Sequence, residues 1–203
     1  MDELAAPIVA EMTDATAVCG AAFRSAAASV SNTEAAGRAT WSLAKAPTGA
    51  TIDDSGVVSW AVATLGEHPI TVVATNAAGR GERTFTLRVA AVAPIVEEIA
   101  DAKAVAGAAY VGPAPKLANA ACAGAVAWKL VAAPPGATIG PEGIVRWEQP
   151  TAGAVTITIA ATNAAGTHER SWTLTVAAAT GAEPPPPPSS SADSPSTSTK
   201  PAG

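Results

Sequence analysis

Thr75-Asn76-Ala77-Ala78-Gly79 and Thr162-Asn163-Ala164-Ala165-Gly166 are one pentapeptide written twice, at an offset of 87 residues. Outward from it, the same offset carries Trp60 to Trp147, Ala50-Thr51-Ile52 to Ala137-Thr138-Ile139, Trp41 to Trp128 and Pro7-Ile8-Val9 to Pro94-Ile95-Val96. The register never slips, and about half of the positions in 7–90 match those in 94–177. A period this long suits a complete small domain rather than a solenoid unit, so each copy is expected to hold its own core.

The residues around the pentapeptide alternate with a period of two. Ile70, Val72 and Ala74 interleave with Thr71, Val73 and Thr75; Phe85, Leu87 and Val89 with Thr84, Thr86 and Arg88; Trp172, Leu174 and Val176 with Ser171, Thr173 and Thr175. That is the pattern of half-buried antiparallel strands. The Asn-Ala-Ala-Gly element joins the last two strands of each copy as a hairpin, where Asn and Gly are expected to supply positive φ. In the first copy the strands fall near 7–10, 15–19, 21–30, 39–44, 50–53, 57–60 and 67–75, with a closing strand near 82–90. The Ala-rich stretch Ala26–Ala36 is not expected to be helical, because its counterpart contains Pro113-Ala114-Pro115. Many short strands separated by turns predict two sheets packed face to face.

The eight aromatic residues of the chain form four repeated pairs: Phe23 with Tyr110, Trp41 with Trp128, Trp60 with Trp147, and Phe85 with Trp172. A full set recurring once per domain reads as core, since a small Ala-rich domain buries most area through its aromatics. Only 14% of the 203 residues are charged and the net charge is −5. The twelve Lys and Arg are scattered, which leaves no basic footprint for nucleic acid or an anionic membrane. No apolar run is long enough to span a bilayer.

The run Trp41-x-Leu43, Pro47-x-Gly49-Ala50-Thr51-Ile52-Asp53, Gly56-Val57-Val58-x-Trp60, Gly66, Ile70-Thr71-Val72, Ala74 to Gly79 and Phe85-x-Leu87-x-Val89, repeated in the second copy, resembles the immunoglobulin-like and dystroglycan-type cadherin-like tandem repeat domains. The resemblance covers nearly all of 7–177. It implies an all-β chain of two tandem immunoglobulin-like β-sandwich domains, acting as adhesion modules or spacers, some of which bind calcium or carbohydrate. Relatives often carry Asp, used by some for calcium, where Asn76 and Asn163 stand. Calcium needs several clustered oxygen ligands. Here Asp53-Asp54 is replaced by Gly140-Pro141 in the second copy, and the linker 90–93 has no acid, so calcium is not expected.

No constellation for chemistry emerges: catalytic, cofactor-binding and metal-site residues are all read as none, and no cofactor is expected. His68 and His168 occupy non-equivalent positions and read as solvated surface residues. Asp53-Asp54-Ser55-Gly56 reads as a turn rather than an acid–base pair. Cys19 aligns with Ala106 and Cys122 with Ala35, so no disulfide can form within a domain. Cys19 reads as a small buried hydrophobe and Cys122 as an exposed loop residue, with no bridge expected between domains. Trp41 and Trp128 are similar to the core tryptophan of antibody domains, without the disulfide it packs on there. Glu82-Arg83 and Glu169-Arg170 could pair across the final hairpin.

Three segments are expected: 1–91 and 92–178 as the two sandwiches, and 179–203 as a disordered Pro/Ser/Thr-rich tail. The run Pro184 to Pro188 suits polyproline II, and the segment resembles a linker or an O-glycosylated stalk. Met1-Asp2-Glu3-Leu4 lacks the apolar stretch of a secretory signal. The chain is therefore read either as cytoplasmic or as a mature or excised piece. The functional expectation is a non-catalytic structural spacer or adhesion and interaction module of an extracellular or cell-surface protein, with a protein or glycan partner. The alternatives are a carbohydrate- or ligand-binding module and a structural subunit of a virion or appendage.

Overall fold

A computed structural model describes residues 4–179. The expectations for the Pro-rich tail and for Met1–Glu3 lie outside the described residues. The first copy contributes β1 (Ala15–Val18), β2 (Phe23–Ala27), the one-turn helix α1 (Thr33–Ala36), β3 (Thr40–Lys45), β4 (Ala50–Ile52), β5 (Val57–Trp60), β6 (Gly66–Asn76) and β7 (Gly79–Ala90). The second repeats the series as β8 (Ala102–Val105), β9 (Tyr110–Val111), α2 (Ala120–Ala123), β10 (Ala127–Ala132), β11 (Ala137–Ile139), β12 (Val145–Trp147), β13 (Gly153–Asn163) and β14 (Gly166–Ala177). Each copy is a pair of sheets, ordered β1-β7-β6-β3 over β2-β5-β4 and β10-β13-β14-β8 over β11-β12-β9. The chain is all-β with two tandem immunoglobulin-like sandwiches.

The first strand of each sandwich switches sheets. Val9 makes a single bridge to Val30, beside β2, and the chain then crosses over so that β1 runs parallel to β7, with Ala15 opposite Leu87. The strand expected at 7–10 is thus reduced to one bridge. A one-turn helix also sits inside the Ala-rich stretch where none was expected. The prolines that argued against it align with 26–28, and the helix lies further on, at 33–36 and 120–123.

Ile70, Val72, Phe85 and Leu87 close on Phe23, Val58 and Trp60 in the first core; Ile157, Ile159, Trp172 and Leu174 close on Tyr110, Val145 and Trp147 in the second. Six of the eight aromatics are buried, whereas Trp41 and Trp128 are half-buried and pack against the core edge. Val73, expected to face outward, is buried because β6 is a central strand whose neighbours Ser42 and Glu82 flank it. Each half-buried indole lies over a glycine. A Cβ on Gly56 (φ +76°) would come within 3.1 Å of Trp41, and one on Gly143 (φ +79°) within 2.7 Å of Trp128.

The Asn-Ala-Ala-Gly hairpin works differently from the expectation. Among the described residues no non-glycine has positive φ, so within these hairpins only Gly79 and Gly166 take that conformation. Asn76 acts through its side chain. Its Oδ1 accepts from the N–H groups of Ala78 (2.9 Å) and Gly79 (3.0 Å), and its Nδ2 donates to the carbonyls of Ala5 and Ala36, both at 2.7 Å. Asn163 repeats all four bonds, with Ala165 and Gly166 as donors and Val92 and Ala123 as acceptors. One side chain thus ties the hairpin, the end of the one-turn helix and the chain entering the domain. An aspartate could not make the two donations, so these positions call for an amide.

Two outcomes follow from this packing. Asn163→Asp leaves two part-buried carbonyls facing a carboxylate and is expected to destabilise the second domain by about 2–3 kcal/mol, seen as a lower urea midpoint; a change within about 0.5 kcal/mol, the size of an ordinary surface substitution, would show that the amide does not hold the fold. Gly143→Ala combines a left-handed backbone with overpacking against Trp128 and should cost about 2–4 kcal/mol. Gly107→Ala, at φ +77° with nothing within 4 Å of the added Cβ, should cost only the backbone share, about 1–2 kcal/mol.

Candidate functional site

The chain passes from one sandwich to the other in very few residues. The first domain's last backbone bond at this end runs from the Cys19 N–H to the Ala90 carbonyl (2.9 Å). The second domain takes hold at Val92, whose N–H donates to the Cys122 carbonyl (3.0 Å) and whose own carbonyl accepts from Asn163 Nδ2 (2.7 Å). Asn119 then donates its Nδ2 to the Ala93 carbonyl (2.8 Å) and accepts the Ile95 N–H at Oδ1 (2.9 Å). Only Ala91 lies between the two sets of bonds.

A covalent bond crosses this joint. Cys19, at the end of the first sandwich, and Cys122, in α2 of the second, form a disulfide with their Cα atoms 5.4 Å apart at a sequence separation of 103. This corrects the expectation of a buried free thiol and an exposed one. The repeat register placed the two cysteines at non-equivalent positions, and those positions are the bottom of one domain and the top of the next, which the short linker brings face to face. Around the bridge, a Cβ on Gly124 would lie 3.1 Å from Leu65 Cδ2, so that glycine permits a close approach, while one on Gly20 would meet Cys122 Sγ at an ordinary 3.7 Å. Cys122 itself packs against the core of the first domain.

The other candidate residues stay apart. His68 Nε2 lies 2.7 Å from the Thr64 carbonyl, and its ring meets Trp60 edge-on at 4.9 Å, so it is a packed rather than a freely solvated residue. His168 is half-buried, and its Nδ1 accepts the Val96 N–H (3.2 Å), which makes it part of the second domain's first-strand anchor. Asp53 Oδ1 accepts from the N–H groups of Ser55 and Val57, the bonds of a turn, while Oδ2 sits 3.5 Å from Arg24. Among the described residues neither Glu82–Arg83 nor Glu169–Arg170 forms an ion pair; Arg170 instead donates to the Val96 carbonyl. The exposed guanidinium of Arg88 is held further above its usual range by its hydrogen bond to Glu67, with Asp14 adding to the effect.

Where the first strand switches sheets, each domain has a shallow lateral groove. The first, about 210 Å³, is lined by Glu11, Met12, Phe23, Arg24 and Phe85 among others. The second, about 300 Å³, shares only part of that lining: it runs along 97–100 and 113–116, with Glu98, Ile99, Pro113, Pro115 and Lys116, and does not reach the counterparts of Phe23 and Phe85. Phe23 and Phe85 become Tyr110 and Trp172 in the second domain, and Tyr110 Oη and Trp172 Nε1 are buried without a hydrogen-bond partner.

Solved structures share this architecture at low identity. The N-terminal four Ig domains of Dscam1 isoform 7.44 align with a TM-score of 0.55 at 14% identity, over 85% of this chain and 46% of that one. Sidekick-1 immunoglobulin domains 1–4 align at 0.52 and 14%, over 87% and 50%, and the extracellular domain of Protocadherin GammaB4 at 0.50 and 16%, over 85% and 34%. This chain thus spans half or less of each of these structures. No curated protein sequence matches it. The family described as "Putative Ig domain" matches twice, over residues 6–90 and 93–177, and with both copies accounted for, the chain belongs to that family.

Proposed function

We propose that the chain is a non-catalytic, two-domain spacer and adhesion module displayed at a cell surface or outside the cell, with domain boundaries at 1–91 and 92–178. The observation that carries this reading is the Cys19–Cys122 bridge. Structural disulfides persist in oxidising compartments and are rare in the cytosol. A bridge at the joint of two sandwiches serves a part whose task is to hold a fixed length and direction. The partner is a protein or glycan. The scattered basic residues offer no phosphate-binding surface.

The lateral grooves favour a second reading, a ligand-binding module, because a recess lies beside the sheet-switching first strand of each domain. Glycan titration monitored by tryptophan fluorescence separates the readings: saturable quenching supports a binding module, and no change supports the spacer.

Thiol trapping in the native host tests the placement. The two cysteines are expected to be oxidised in the secreted or surface fraction; recovery as free thiols in the cytosolic fraction overturns the proposal. Calcium gives an independent outcome. The amide oxygens of Asn76 and Asn163 already accept two backbone N–H bonds each. Thermal midpoints with and without millimolar calcium should therefore coincide. A ligand bound only by the folded state must raise the midpoint, so a clear rise would mean that a metal site supports the rod.

A further inference from the structure

We infer that Cys19–Cys122 is a redox latch on the domain joint: closed, it holds the two sandwiches in one orientation, and open, it leaves them hinged at Ala91. The inference deepens the spacer reading, and on that reading it supplies the control of the spacer's stiffness.

Residues before Ala91 are bonded to the first domain and residues from Val92 onward to the second, so the covalent path between them has one free residue with two soft dihedrals. Among the described residues no ion pair and no backbone hydrogen bond runs from the first sandwich to the second. What remains is a small patch in which Cys122 and Leu65 meet the first core, with Cys19 Sγ 3.9 Å from the Ala121 carbonyl. Domains joined by small interfaces move relative to one another by default. A second covalent tether, away from Ala91, removes that freedom, because rotation about either dihedral of the hinge would separate the two sulfurs.

The rest of the chain makes the latch specific to this joint. The positions equivalent to the two cysteines are Ala35 at the entry of the first domain and Ala106 at the far end of the second, and the chain has no third cysteine. The pair closes within one molecule or remains open, with no alternative pairing. Closure takes two electrons and two protons from the two thiols, passing them to the disulfide of a thiol–disulfide oxidoreductase, which becomes a dithiol; opening reverses the exchange with a dithiol donor. Cys19 is buried and Cys122 is the less buried of the two, so the donor approaches from the Cys122 side.

The test compares the oxidised chain, the chain reduced with dithiothreitol, and the double variant Cys19→Ala/Cys122→Ala. The alanines match the residues that the repeat itself places at 106 and 35, so the variant is expected to fold, which amide spectra of both domains verify. In the oxidised chain, residual dipolar couplings from both domains should fit one alignment tensor, with one rotational correlation time. In the reduced chain and the variant, the shared tensor should be lost and each domain should tumble faster. Retention of a single tensor in all three overturns the latch while leaving the spacer reading intact. Free thiols in the air-oxidised chain would overturn the latch as well. Cytosolic recovery from the native host would instead remove the spacer reading and leave the in vitro orientation result standing.

Discussion

Everything at the upper end of each sandwich depends on one carboxamide. Asn76 and Asn163 each use both faces of the side chain, Oδ1 on the turn and Nδ2 on two carbonyls from segments far away in sequence. In a chain with 14% charged residues and many alanines, few side chains are able to reach across such distances. Leaving any of these part-buried groups unpaired is costly, so the amide converts a local turn into a long-range constraint. Asn32 and Asn119 reinforce it from the one-turn helix, donating to Ala6 and Ala93. The path of the chain into each domain is therefore set by that domain's own amides.

The two copies solve the same packing problem with different residues. At the position after the hairpin where the first copy has Gly81, a Cβ would run into the Pro7 backbone. The second copy has His168 there, and its ring accepts the Val96 N–H, with Arg170 donating to the same residue's carbonyl. Phe23 and Phe85 are likewise exchanged for Tyr110 and Trp172, at the expense of two buried polar atoms without partners. Interiors pack densely, so such exchanges have to be compensated locally, and the compensation here lies along the segment that switches sheets.

The fold was legible because its signals are repeated and periodic. The alternation around Ile70 and Phe85, the paired aromatics and the Asn-Ala-Ala-Gly turns each point to a sandwich, and strand limits such as 57–60 agree with β5 while 67–75 falls within β6. The helix at 33–36 was hidden because four residues carry no period and the prolines at 113 and 115 align with 26–28, at the opposite end of the stretch. Asn32 and Asn119 were visible as a repeated identity, yet only the fold shows that their amides reach the entering chain. The disulfide was hidden for the opposite reason: reading residues against their repeat partners sets Cys19 beside Ala106 and Cys122 beside Ala35, whereas a joint brings together non-equivalent ends.

The geometry of that joint can be separated from its lock. Leu4–Ala6 enters the first domain as Ala91–Ala93 enters the second: Ala5 N–H donates to the Ala35 carbonyl (2.9 Å), Asn76 donates to the Ala5 carbonyl and Asn32 to the Ala6 carbonyl. An Ala35 in place of Cys122 leaves this arrangement unchanged, so the amides alone position the entering chain. What the amides cannot fix is the rotation about the residue before it, Leu4 in one case and Ala91 in the other, because no bond of theirs reaches back past it. The sulfur pair acts on that remaining freedom, and it does so from the lower edge of the first core, where Cys19 is buried and Cys122 packs against it.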